Sequence, residues 1–365
     1  MRHRRLAGVG LALALAVAPA GCAREPAASR LVELSGPTMG TTWSVKLVPG
    51  EEGLGPERSQ ELDKAIRDDL ARINLLMSTW DPESELSRFN RSPSVEPFAV
   101  APETAAVFRW AIELAALTDG ALDVTMAPLV EAWGFGPAEG RVTDAPDDER
   151  VARLRERTGV HLLELDPEGR WVRKVRPDVQ VDFSSLAPGY AADRLAALLE
   201  RRGFPDFVVD VGGELVARGR NDRGEPWQIA IERPDARGRV AARIVPVTGT
   251  AIATSGDYRN YREVDGRRVT HILDPRTGRP IRHRLASVTI VDPLCVRADG
   301  LATALMVLGP DEAMALAERR QLAALLLVRS DGGGFEERVS PAFAAFLDGV
   351  RSGQGADPEP STTGP

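Results

Sequence analysis

The chain has 365 residues, 43% of them hydrophobic, and a formal net charge of −7. That is enough to bury one large core or two smaller ones, and the acidic balance argues against a nucleic-acid partner held by bulk charge. The only cysteines are Cys22 and Cys295, so a disulfide framework is excluded and the core must be stable without covalent help.

In chain order, MRHRR is a positive segment, LAGVGLALALAVA an apolar run and APAGC a small-residue ending, which together predict a signal peptide over residues 1–21. The apolar run is too short for a comfortable spanning helix. Its removal takes away Arg2, Arg4 and Arg5 and no acid, so the charge of −7 becomes about −10. Ala20 and Gly21 before Cys22 resemble a bacterial lipobox, in which the cysteine carries the lipid. Pro19 stands where such boxes usually have an aliphatic residue, and simple cleavage leaving a free Cys22 thiol is the alternative reading. Residues 22–34 read as a lipid-anchored tether. Residues 346–365, ending in SGQGADPEPSTTGP, read as a disordered tail.

Between these ends no linker divides the chain. GTTWSVKLV predicts an opening strand, and Ser59–Ser78 an amphipathic helix with Leu62, Ile66, Leu70, Ile73 and Met77 on one face. APETAAVFRWAIELAALTDG reads as a helix with Pro near its start and Gly at its end. VQVDFSS predicts a strand and APGYAADRLAALLERRG a helix closed by Gly203. FPDFVVDVGGELVARG predicts two strands turning at Gly212-Gly213. EPWQIAIERP, RIVPVTGTAIATSG, RVTHILD and ASVTIVD add strands, ADGLATALMVLG and DEAMALAERRQ add helices, and AALLLVR is unassigned. Strands in hairpin-like groups with helices between the groups indicate an α+β fold. GFGPAEG at 134–140 neither follows a strand nor opens a helix, and reads as a loop.

Several segments carry reactive groups. Asp299 and Thr303 are four apart on a helix, so their Cβ atoms lie about 5–6 Å apart on one face. They either share a hard cation such as Mg²⁺, or Asp299 caps the helix and Thr303 bonds back to a carbonyl. His271 shares a strand face with Val269 and Leu273 and stands beside the DPRTG turn; it is either a satisfied core histidine or a general base. Asp210, Gly213 and Glu214 surround a tight turn that serves either a hairpin or a ligand pressed against the backbone. Asp123 and Thr125 are turn formers or ligand contacts. Trp80, between polar neighbours in MSTWDPESELSRFN, is placed to stack on a heteroaromatic ligand.

In this order and spacing, MGTTWSVK, MSTWDPESELSRFN, ALDVTMAPLVEAWGFGP, VDFSSLAPGYAAD, FVVDVGGELVARG, AIATSGDYRNY, VTHILDPRTGRPI and VRADGLATAL resemble the ApbE family of FAD:protein FMN transferases. The resemblance covers about residues 35–345. It implies a T-fold-like architecture of mostly antiparallel sheets with flanking helices, with FAD in a cleft between two halves. It implies transfer of FMN from FAD to a threonine of a partner flavoprotein bearing an Asp/Ser-Gly-x-Thr pattern, with release of AMP. It places Mg²⁺ on Asp299, Thr303 and a main-chain oxygen of Ser185, and the flavin nucleotide against Met39, Trp80, Ala121, Leu122, Asp123, Asp182 and Leu273. His271 becomes the catalytic histidine. Pro188 stands where the family usually has Lys or Glu, removing a polar contact to FAD, and Trp80 replaces a usual Tyr. The family's usual location places the chain, anchored through Cys22, at the periplasmic face of the inner membrane. FAD pyrophosphatase activity and flavin carriage without turnover are the alternatives.

Overall fold

A computed structural model describes residues 31–50, 53–137, 144–234, 240–258, 261–264 and 267–351. Its main sheet has eight strands: Val32–Thr38, Thr41–Leu47, Phe207–Val211, Glu214–Arg218, Thr250–Gly256, Leu285–Asp292, Ala323–Arg329 and Phe335–Val339. Their order across the sheet is their order along the chain, and each runs antiparallel to the next. The sheet is therefore one meander, and the other elements are excursions from its strand connections. This is the α+β fold that the residue pattern indicates, with the mostly antiparallel sheets that the ApbE resemblance implies.

Both faces of the sheet are covered, which is why all eight residues of Leu285–Asp292 are buried. The helices Pro56–Met77, Pro102–Leu117, Ala187–Arg201 and Cys295–Leu308 share the larger core with one face. The other face is covered by a two-stranded hairpin, Trp227–Glu232 with Ala241–Val247, and by the helix Pro341–Arg351, through Trp227, Ile231, Val245, Phe343 and Leu347.

Several expectations change. The first described strand is Val32–Thr38, upstream of GTTWSVKLV and beginning inside the stretch read as tether. A tight turn joins it to the next strand, with Met39 and Gly40 both at positive φ, 46° and 71°, the geometry hairpin turns favour. The final helix runs to Arg351, past residue 345, because Phe343 and Leu347 have a sheet face to bury against. VQVDFSS forms no ladder. Val179, Val181 and Phe183 alternate inward, but the backbone of Val181 is satisfied by the Asn90 side-chain amide, which donates to its carbonyl and accepts its N–H, both at 2.8 Å. AALLLVR is an interior strand, the seventh of the eight. Cys22 and the tail beyond Arg351 lie outside the described residues.

Candidate active site

The connections of the meander converge on a cleft of about 950 Å³. On one side stand the Cys295–Leu308 helix and the ends of the central strands. On the other stand residues 121–136 and the segment around His271. Trp80, Ala121, Leu122, Asp123, Asp182, Ser185, His271, Leu273, Asp299 and Thr303 all line it, drawn from widely separated stretches of the sequence.

Asp299 is at the floor. Its helix begins at Cys295 with Leu294 as the capping position, so Asp299 lies in the second turn and does not cap it. The cap comes from another helix: Asp193 Oδ1 and Oδ2 accept the N–H groups of Cys295 and Val296 at 2.8 and 2.9 Å. Burial pushes the Asp193 pKa up to about 6 against the pull of those two N–H groups. Asp299 is 5% exposed and accepts the Gly189 N–H through Oδ2 at 3.0 Å. Among the described residues no lysine or arginine pairs with it. Burial first, and then the facing Glu214 carboxylate, hold its pKa well above the carboxylate range.

Thr303 Oγ1 lies 3.0 Å from Ser255 Oγ, so the hydroxyl bonds across to a strand rather than back to its own helix. Asp299, Thr303, Ser255 and Ser185 offer only oxygen to the cleft, the donor set of a hard cation. An uncompensated buried carboxylate facing a second acid is the electrostatic setting that a cation relieves. The residues therefore fit the implied Mg²⁺.

The walls are stiffened by turn chemistry. Asp123 Oδ1 accepts the Thr125 N–H and hydroxyl at 2.8 and 2.6 Å, and burial raises its pKa. Thr125 Oγ1 in turn accepts the Gly159 N–H. Asp182 Oδ1 accepts from the Ser184 N–H and hydroxyl at 2.9 and 2.5 Å. Trp80 projects into solvent at the rim, 68% exposed. Ser78 Oγ, accepting the N–H groups of Trp80 and Asp81 at 3.1 Å, sets its loop. His271 occupies a bend between the short strands Arg267–Thr270 and Leu273–Asp274, not a strand. Its ring meets Phe135 edge-on at 6.3 Å between centroids.

The sequence model of the ApbE family matches residues 39–326 of this chain, the greater part of its length. The chain belongs to the ApbE family. It is 46% identical over 339 residues to an FAD:protein FMN transferase of Vibrio cholerae, covering 92% of this chain and 98% of that protein. It is 39% identical over 342 residues to one from Escherichia coli K12, covering 92% and 96%. Among solved structures, the flavin transferase ApbE from Vibrio cholerae matches with a TM-score of 0.80 at 44% identity, covering 88% of this chain and all of that one (100%). The apo form of a flavinyl transferase ApbE from Pseudomonas stutzeri matches at 0.79 and 40%, covering 87% and 97%.

Two residues carried over from the ApbE resemblance stand apart from the cleft. Met39 is outside its lining and packs, half-buried, against the main core from the hairpin turn. Pro188 also falls outside the lining. It sits in the first turn of the Ala187–Arg201 helix, where no backbone donor is needed and its fixed φ is already helical. Conversely, Ser255 and the strand Trp227–Glu232 border the cleft without having been singled out in the sequence. Ser255 meets Thr303 across 48 residues, and no local pattern announces such a pairing.

Proposed function

We propose that this chain transfers the FMN moiety of FAD to a threonine hydroxyl of a partner flavoprotein and releases AMP. Membership of the ApbE family, and relatives that carry the name FAD:protein FMN transferase over nearly their whole length, support the flavin donor and the protein acceptor. The observation that carries the chemistry is Asp299, a buried carboxylate without a paired cation, beside Thr303 and Ser185 at the floor of a cleft rimmed by Trp80 and His271.

Mg²⁺ held by Asp299, Thr303 and the main chain of Ser185 would neutralise charge on the pyrophosphate and the departing AMP. The rest falls to the chain. The threonine oxygen bonds to the FMN phosphorus, the pyrophosphate P–O bond to AMP breaks, and AMP leaves with the bridging oxygen. A threonine hydroxyl is a poor nucleophile near neutral pH, and His271 accepts its proton as the bond forms. Trp80 offers an aromatic face to the flavin or adenine ring, while the Asp123 and Asp182 turns fix the backbone around it. The acceptor is a flavoprotein segment with Asp or Ser, Gly, a small residue and Thr. The chain is anchored through a lipid on Cys22 at the periplasmic face of the inner membrane. A Cys22→Ala variant should then be soluble, and one that stays with membranes speaks against the anchor.

Incubation of the chain with FAD, Mg²⁺ and an acceptor domain tests the reaction. Mass spectrometry should find FMN on the threonine, and EDTA should abolish the labelling. Free FMN and AMP with an unlabelled acceptor would mark a pyrophosphatase instead; bound FAD with no turnover would mark a carrier.

A further inference from the structure

The strand Trp227–Glu232 has only one neighbour among the described strands, Ala241–Val247. Its residues Gln228, Ile229, Ala230, Ile231 and Glu232 border the cleft in succession. Successive side chains of a strand point to opposite faces. Five consecutive residues border one cavity when the strand presents its edge, and along that edge every second residue turns its N–H and C=O outward. Of these five residues only Glu232, at the end of the strand, is charged, and none is proline, so Gln228–Ile231 lacks the usual protections of an open edge. The edge is also held rigid: Trp227 and Ile231 are buried in the second core, and Arg243 on the paired strand donates to Glu337 of the main sheet at 2.6 Å. On the outer face, exposed Ala230 stands opposite Ile244, which is 62% exposed.

We propose that this edge docks the acceptor: a segment of the partner flavoprotein adds to Gln228–Ile231 as an extended strand, and so delivers its threonine into the cleft. The inference rests on the flavin-transfer reading and names how its second substrate binds. Main-chain ladder bonds supply affinity without demanding a particular side chain. At about 3.3 Å per residue, the four-residue edge spans about 13 Å, the length of a four-residue acceptor segment. Glycine in that segment lets its backbone approach closely, and Ala230 with Ile244 offers an apolar shelf for flanking residues.

A period-two backbone dependence is what strand addition alone produces. Synthetic acceptor peptides, methylated on one backbone nitrogen at a time, are assayed for FMN transfer by the intact chain with FAD and Mg²⁺. Methylation at alternate positions should lower kcat/KM about tenfold for each ladder bond removed, with little effect at the positions between. In parallel, amide exchange at Gln228–Ile231 should slow at alternate residues when the whole acceptor flavoprotein is added. Transfer without either periodicity overturns the docking edge. Protection without transfer overturns the catalytic reading and leaves the docking edge standing. If the chain dimerises through this edge and acceptor does not displace the second copy, the edge belongs to self-association and the inference falls.

Discussion

The backbone N–H of Gly189 donates to Asp299 Oδ2 at 3.0 Å, joining two helices whose residues are 110 apart in sequence. A Cβ at position 189 would stand 2.6 Å from the Cys295 carbonyl oxygen and 2.8 Å from Asp299 Cβ. The missing side chain is therefore what lets the helix bearing Asp299 and Thr303 lie against its neighbour. Gly189→Ala should push the helices apart, costing about 1–3 kcal/mol of stability. Thermal unfolding will show the loss, and titration calorimetry a weaker Mg²⁺ affinity. A variant that melts and binds like wild type would mean that the backbone yields freely here.

The same helix is held at its start by Asp193, whose pKa is raised from 3.8 to about 6 by burial. A carboxyl that binds its proton more tightly when folded contributes stability that is full below the unfolded pKa and is lost as pH rises through the folded one. Relative to Asp193→Asn, the wild type should therefore lose on the order of 3 kcal/mol between about pH 4 and pH 6, then stay level. Denaturant unfolding of both proteins across that range gives the difference directly. Parallel curves would show that Asp193 keeps an ordinary pKa.

Asp299 is strained by its own charge when no cation is near, since burial and Glu214 both oppose ionisation. Asp299→Asn keeps an acceptor for the Gly189 N–H while removing that charge. In EDTA at pH 7 the variant should melt no lower than wild type. Wild type should gain about 2.7 kcal/mol at Mg²⁺ one hundred times its Kd, and the variant should gain nothing. A variant still stabilised by Mg²⁺ would place the cation elsewhere.

Trp80 has almost no packing role, being 68% exposed on a loop fixed by Ser78. Trp80→Ala should leave the melting temperature unchanged and weaken FAD binding about tenfold, the value of one stacked ring. Trp80→Tyr should restore most of it. Flavin fluorescence quenching reads the affinity, and equal Kd values for the wild type and Trp80→Ala would remove the ring from the site.

What could be read in the sequence was whatever depends on near neighbours. The four-residue spacing of Asp299 and Thr303, the Gly212-Gly213 turn and the helix bearing Leu62, Ile66, Leu70 and Ile73 all survive because a single element sets each of them. Long-range substitutes were not legible. Val179, Val181 and Phe183 alternate like a strand, yet Asn90, 91 residues upstream of Val181, takes the place of the neighbouring strand. Ala323–Arg329 is too uniformly apolar to show a period, because both its faces are buried. Ser255 and the outer edge of Trp227–Glu232 join the site through the sheet alone. Met39 and Pro188, placed at the site by motif position, lie outside the lining of the cleft.

His271 stands in the bend beside Leu273, on the rim of the cleft whose floor is Asp299. In the proposed reaction a protein hydroxyl, and not water, receives the FMN, with His271 taking its proton. Quantifying AMP and FMN-threonine together, for wild type and His271→Ala with the same acceptor domain, tests both halves at once. Wild type should yield the two products in equal amounts, and the variant should bind FAD normally but form both about 10²–10⁴-fold more slowly. AMP far in excess of labelled threonine in the wild type, or undiminished transfer by His271→Ala, would contradict the account.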